Sequence, residues 1–394
     1  MWLRTVIYPM CPNERDPDPQ GVTRLQTVIM AGGRGKRLYP LTHDQPKSLT
    51  QVMGRPILDH QIDLVRSRGC EEVIITTSHH CDGLFVHLDS ADFGPLRVFC
   101  AVEEQALGTA GGVRNAGDML RDTFFVLSGD AFTDVDIAPV VDFHRKRKAL
   151  VTIMVKRVSD VRPFGMVAMD GRGRVVHFEE KPQALQAPVS HLANTGMYIM
   201  EPEALELVPR GAFFDFAHHL FPLMLQAGMP IMGYEIEGYW RDVGTLPDYH
   251  GAHRDALGRR LEWDPGHLMG HALDSGDAVE GLHPSATIEG PVFIGQGAVV
   301  EEGAYLGPFT SIAPNARIGR NARVTDSVVN SEVSVGPESR VRRSIIGRRT
   351  AVPRGSHLES AAVNGYITVG IRRSAADRYP PSLAGRRPAR SVPA

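Results

Sequence analysis

The sequence predicts two folds in series: a Rossmann-like α/β domain with a mainly parallel sheet, then a left-handed parallel β-helix of hexapeptide repeats. Three observations carry this. A short apolar run, Thr27 to Met30, reads as a buried first strand and leads straight into a glycine-rich loop. Strand, helix and strand then alternate, the order that builds a parallel sheet. From residue 288 onward aliphatic residues recur every six positions, a period that belongs to neither a helix nor a lone strand.

With 394 residues, 42% hydrophobic and 22% charged, the chain is long enough for two separate cores. A formal net charge of -2 gives no electrostatic reason to expect nucleic acid. Cys11, Cys70, Cys81 and Cys100 lie far apart, without metal-ligand spacing, which suits reduced thiols in a cytoplasmic protein. No apolar run approaches the roughly 20 residues of a membrane span, and the N-terminus lacks the apolar core of a secretory signal. Lysine is scarce: six stand against 37 arginines, so a lysine here calls for a reason.

Residues 1–24, rich in Pro and Asp, read as a loose extension, and 25–257 as the α/β domain. After the first strand, Gly32, Gly33 and Gly35, preceded by Ala31, let backbone N–H groups converge on one concave spot fit for phosphate oxygens. Arg37 offers a planar fork matched to phosphate, and Lys47, after Pro46, a compact charge. Pro56 to Arg68 has one apolar helical face and ends at Gly69; Glu72 to Thr77 follows as a buried strand. Ligands of such sheets bind beyond the carboxyl ends of the strands, where the glycine loop lies. Ser78-His79-His80-Cys81 reads as a polar helix start rather than a metal site. His144 to Lys148 reads as a solvated helix face. Thr123 to Asp130 is an apolar strand ending in an acid, and a hairpin turning at Asp170-Gly171 leads to Val175 to Pro182.

The glycine loop matches neither the Walker template, since Arg37 follows Lys36, nor the dinucleotide fingerprint, since Leu38 stands where a third Gly belongs. Ala31 to Leu49 instead resembles the signature GGxGxRLxPLTxxxPK of the sugar-1-phosphate nucleotidyltransferases. Gly32, Gly33, Gly35, Arg37, Leu38, Pro40, Leu41, Thr42, Pro46 and Lys47 are in register, and Lys36 departs from the usual Thr or Ser. Leu107 to Gly111 match the family's PLGTAG loop, with Ala106 replacing Pro. Asp130 matches its strand-GD motif, Glu180 and Lys181 its FxEKP, Asn194 and Gly196 its NxG, and Trp240, Asp242, Gly244 and Thr245 its WxDxGT.

The resemblance covers about residues 25–368 and its domain order is similar to the mannose-1-phosphate guanylyltransferase branch. It implies transfer from an NTP to a sugar 1-phosphate with release of pyrophosphate. It further implies nucleotide contacts from Ala31 to Arg37 and from Glu103, Gly108 and Thr109. Sugar contacts fall to Gly165, Glu180, Lys181, Asn194 and Gly196. Mg²⁺ would sit on Asp130 and Asp242, which lie 112 residues apart and meet only through the fold. Arg37, Lys47 and Lys181 are the expected catalytic cations; two of the six lysines thus fall where the family has lysine. At the base-facing position, a carboxylate on Glu103 can accept both the N1–H and N2 amino donors of guanine, so GTP is favoured over ATP or a pyrimidine nucleotide. Mannose 1-phosphate is the default acceptor; heptose or cyclitol phosphates such as valienol 1-phosphate are alternatives. A catalytically silent NDP-sugar-binding regulator is the competitor from another class, and would be expected to lose one of these charges.

Residues 258–282 read as a linker and 283–368 as the β-helix. Ile288, Ile294, Val300, Leu306, Ile312, Ile318 and Val324 mark its hexads, with Val292, Ala298, Ala304, Thr310, Ala316 and Ala322 as the small partners. The register slips by one at Val329, continues through Val335 and Val341, and recovers through Ile346 and Val352. Such prisms mostly join subunits, so a homo-oligomer is expected; acyl transfer through His283 or His357 has no supporting site. Residues 369–394, rich in Arg, Pro and Ser, read as a disordered tail.

Overall fold

The computed structural model describes residues 25–33, 35–78, 82–182, 188–262, 269–275, 279–365 and 367–370. The N-terminal extension, His79-His80-Cys81 and residues 371–394 of the tail lie outside these residues, while the start of the tail is ordered after all, because Ile367–Gly370 forms a strand paired antiparallel with Ala361–Asn364. Among the described residues, nine strands form the main sheet. Its parallel half is β1 (Gln26–Met30), β2 (Glu72–Ser78), β3 (Arg97–Glu103) and β4 (Phe124–Ser128), with β1 between β2 and β4. Alternation along the strands sends Val28, Ile74 and Val126 to one core, and Ile29, Ile75 and Leu127 to the other. Both faces are therefore covered, as a parallel sheet requires. Helix α1 (Ile57–Ser67) buries Leu58, Ile62 and Val65 and stops, as expected, just before Gly69.

Beyond β4 the sheet turns antiparallel. The long β5 (Leu192–Met200) pairs with Val151–Arg157 along one side; along the other it pairs with β4 over Met197–Met200 and with β6 (Gly165–Met169) at Leu192 and Ala193, and β6 pairs with β7 (Val175–Glu180). In the hairpin joining β6 to β7, Asp170 Oδ1 accepts the amides of Arg172 and Arg174, and the left-handed residue is Gly173 at φ +80°, not Gly171. The helix Ala138–Arg147 is less solvated than its charges suggest. His144 is buried, bonded to Thr152 Oγ1 at 2.8 Å and Glu201 Oε1 at 3.0 Å, because its apolar neighbours Val140 and Val141 set the inward face.

The C-terminal region is a β-helix of parallel ladders. Every hexad aliphatic from Ile288 to Val324 is buried in one shared core, and the small partner residues are buried with them. The first coils advance 18 residues, as Ile288 pairs with Leu306 and Ile294 with Ile312. The register does not recover after Val329. Val324 pairs with Val341, Val329 with Ile346 and Val335 with Val352, so later coils advance 17 and drop one residue at the same corner each time. The linker also hides a strand: Gly270–Leu273 pairs antiparallel with Val292–Gly295, too short and too glycine-broken to show alternation.

The two domains share a core that the sequence did not announce. Leu38 and Leu41 of the signature loop, with Val52, Met53 and Tyr249, pack against Phe293, Val328, Ile345 and Ala362 of the β-helix. The Tyr249 hydroxyl lies 2.6 Å from Gln51 O and 2.8 Å from Asn330 Oδ1, and Asn364 Nδ2 donates to Pro40 O at 2.9 Å. The β-helix thus buttresses the segment just behind the glycine loop. Among the described residues no helix is long and apolar enough to cross a membrane.

Candidate active site

A cleft of about 500 Å³ opens at the carboxyl ends of β1, β3 and β4. The glycine loop forms one wall. Gly35 takes φ +60°, and a Cβ there would stand 2.8 Å from Thr42 Cγ2, while the Thr42 hydroxyl donates to Gly35 O at 2.8 Å. Only glycine fits that turn. Gly129 is equally constrained, since a Cβ would come within 2.5 Å of Met30 O. Ala31, Gly32, Gly33, Arg37 and Lys47 all line the cleft, and so does Lys36, the departure from the signature.

Asp130 and Asp242 do come together, and the reason is a small ladder. Ala131–Thr133 pairs antiparallel with Trp240–Asp242, which sets Ala131 opposite Asp242, and Val243 N donates to Asp130 O at 2.9 Å. Lys47 Nζ pairs with Asp130 Oδ2 and lies 4.0 Å from Asp242 Oδ1. Burial pushes both carboxyls up. For Asp130 the Lys47 ammonium and the hydroxyl of Ser128, 2.5 Å away, outweigh burial and hold it below the usual range. For Asp242 the neighbouring Asp130 charge adds to burial and holds it well above. One ammonium does not keep both carboxyls ionised, so without a cation Asp242 is driven toward its neutral form. Asp242 Oδ1, buried, has no hydrogen-bond partner among the described residues, which is a condition a divalent cation would satisfy.

Gly165, Glu180, Asn194 and Gly196 form a second group beside the first. A Cβ on Gly165 would stand 2.8 Å from Glu180 Oε2 and 3.3 Å from Asn194 Cβ, and one on Gly196 2.9 Å from Ser128 Cβ. Asn194 Oδ1 accepts Gly196 N at 3.1 Å, holding a kink where the β5 pairing shifts register. Trp240 Nε1 donates to Thr195 O at 3.1 Å and so ties the carboxylate ladder to this loop. Lys181 is the outlier. Its side chain is 60% exposed, at the edge of the group, and its ammonium pairs with Glu180 Oε1 at 3.1 Å.

At the other end of the cleft, Glu103 closes β3 and is buried. Its Oε2 accepts the Leu107 amide at 3.0 Å. Burial raises its carboxyl pKa, and that one amide only partly offsets the effect. Gly108 and Thr109 begin the following helix α2 (Gly108–Asn115) and line the same end. Sequence reasoning passed over Ser48, Ser128, Phe213 and Asp215, which also line the cleft. The Ser48 hydroxyl is buried there without a hydrogen-bond partner among the described residues. Asp215 accepts the Thr109 hydroxyl at 2.7 Å from a segment 106 residues away, a relation that no local pattern announces.

The comparisons agree with this geometry. Residues 26–259 match the nucleotidyl transferase family model, and residues 288–373 match the GMPPB C-terminal domain. A UTP–glucose-1-phosphate uridylyltransferase of Synechocystis is 31% identical over 87% of this chain and 93% of its own. A mannose-1-phosphate guanylyltransferase of Mycobacterium tuberculosis is 33% identical over 79% and 81%. The crystal structure of HddC from Yersinia pseudotuberculosis aligns with a TM-score of 0.51 at 25% identity, covering 58% of this chain and 97% of that one. The glycine cradle, the paired aspartates and these matches lead to one assignment: the chain belongs to the nucleotidyl transferase family and is a sugar-1-phosphate nucleotidyltransferase.

Proposed function

We propose that the nucleotide is GTP and the acceptor mannose 1-phosphate, giving GDP-mannose and pyrophosphate. The observation that carries the nucleotide is the Glu103 carboxylate, desolvated at the end of the cleft with, among the described residues, one amide donated to it. Such a group seeks further donors, and the guanine edge supplies two side by side. Uracil, the base of the uridylyltransferase relative, offers a single N–H. The guanylyltransferase relative at 33% identity supports the acceptor, and heptose or cyclitol 1-phosphates remain the competing acceptors.

In this reading an oxygen of the sugar phosphate attacks the α-phosphorus in line, so no protein nucleophile is required. The glycine-loop amides and Arg37 hold the β and γ phosphates and the departing pyrophosphate. Lys47, at the rim beside Asp130, draws in the attacking phosphate, and Lys181 follows once it leaves Glu180. Glu180 and Asn194 then meet the acceptor's hydroxyls, with Gly165 and Gly196 leaving room for the ring. Asp130 and Asp242 would hold Mg²⁺, whose charge offsets the repulsion between two phosphates. The outer faces of the β-helix are offered as subunit contacts of a homo-oligomer.

Pyrophosphate release, measured with Mg²⁺ for five NTPs against mannose, glucose and heptose 1-phosphates and valienol 1-phosphate, tests the assignment. Release with GTP and mannose 1-phosphate is expected. Preference for UTP with glucose 1-phosphate would overturn the base reading while leaving the reaction class intact.

A further inference from the structure

The run from Phe213 to Phe216 contains three phenylalanines in four residues, and two of them are accounted for. Phe216 is buried against Tyr198 and Phe221, and Phe214 packs on the His219 ring at 5.0 Å. Phe213 is 62% exposed. Its ring nevertheless lines the cleft, at the end formed by Glu103, Ala106, Gly108 and Thr109. Large exposed side chains such as Val86 and Val176 stand outside the cleft lining.

This ring is held on a pinned backbone. Phe214 N donates to Leu107 O at 2.7 Å, Gly111 N to Phe214 O at 2.9 Å, and Phe216 N to Thr109 Oγ1 at 2.9 Å. The fit depends on two glycines: a Cβ on Gly108 would stand 2.7 Å from Phe214 O, and one on Gly111 2.8 Å from Ala212 O. His219 meets the Phe213 ring edge-on at 6.1 Å. An aromatic face left open to water at the mouth of a cleft, on a rigid support, suits a flat ligand that completes its burial.

We infer that Phe213 is the stacking platform of the nucleobase, covering one π-face of the ring whose edge Glu103 reads. This rests on the nucleotide site proposed above. Stacking tolerates any base, so Phe213 supplies affinity while Glu103 supplies the choice among bases. The two contributions are separable.

Equilibrium binding of GTP and of inorganic tripolyphosphate to the wild-type, Phe213→Ala and Phe213→Trp proteins, with molecular mass from light scattering, tests the inference. Phe213→Ala is expected to weaken GTP about ten- to a hundredfold, the range of one lost base stack. Tripolyphosphate affinity and mass should not change. Phe213→Trp should restore GTP binding and show quenched tryptophan emission when GTP is added. Unchanged GTP affinity in Phe213→Ala overturns the inference, as does an equal loss of tripolyphosphate binding or a change of mass with GTP affinity intact. If the wild type takes a different nucleotide, the same substitution must weaken that one as much, and equal binding again overturns the stack. A wild type that binds no nucleotide overturns both this inference and the reading beneath it.

Discussion

Asp242→Asn should push activity and stability in opposite directions. Asp242 stands beside Asp130 with the Lys47 ammonium between the two carboxyls, and its Oδ1 lacks a hydrogen-bond partner among the described residues. Burial and the Asp130 charge hold the Asp242 carboxyl well above its unfolded range, so at neutral pH folding without a cation requires this group to take up a proton that it lacks when unfolded. A net cost of about 1–3 kcal/mol in the protein without divalent ions is the result. The substitution removes the group that must take up that proton, keeps the shape, and gives Asp130 an amide donor. In EDTA the variant should therefore melt a few degrees higher than wild type. Mg²⁺ with nucleotide should stabilise the wild type and leave the variant nearly unmoved, while pyrophosphate release falls by several orders of magnitude. Differential scanning calorimetry with and without Mg²⁺, beside the release assay, reads both signs. A variant that melts lower in EDTA, or one that still turns over, would refute the account of the paired aspartates.

Other consequences follow from the same structure. Gly129→Ala brings a methyl to 2.5 Å of Met30 O, so chemical denaturation should show a loss of at least about 2 kcal/mol together with a distorted cleft. Tyr249→Phe removes the hydroxyl between Gln51 O and Asn330 and should cost about 1 kcal/mol, read as a lower denaturation midpoint, with KM for GTP nearly unchanged. His253, buried with Nε2 3.1 Å from Gln51 O, is lowered to about 3 by burial, and His60 to about 4 for the same reason. Both are neutral in the fold and protonate near pH 6.5 when unfolded. Stability is thus full above about pH 6.5 and falls below it, by about 1.4 kcal/mol per pH unit for each histidine, until the folded values are reached. Melting curves from pH 7 to 5 should show this fall, and His253→Gln should flatten it.

The parts of this protein that were legible from sequence are those written in local periods. The β1 run, the helix over Ile57–Ser67 and the hexads from Ile288 to Val324 each declare their own spacing, and each forms as expected. The glycine loop was legible because only glycine can make such a turn, as Gly35 illustrates. Features depending on chain segments far apart were harder to read. The pairing of Asp130 with Asp242 rests on a three-residue ladder, too short to leave a pattern, and was reachable only through the family's motifs. His144 looked like one more polar residue in a basic run, though its face is fixed by Val140 and Val141. The 17-residue coils require counting partners across the ladder rather than along the chain. Phe213 and Asp215 carried no signal, since their relation to α2 joins segments 106 residues apart.

The most direct test of the central claim compares kcat/KM for GTP and UTP, with a fixed acceptor, in the wild type and in Glu103→Gln. The wild type should favour GTP, and the substitution should shrink that preference about ten- to a hundredfold, the scale of one bidentate base contact. A preference that survives the substitution unchanged would contradict the assignment of Glu103 as the guanine reader.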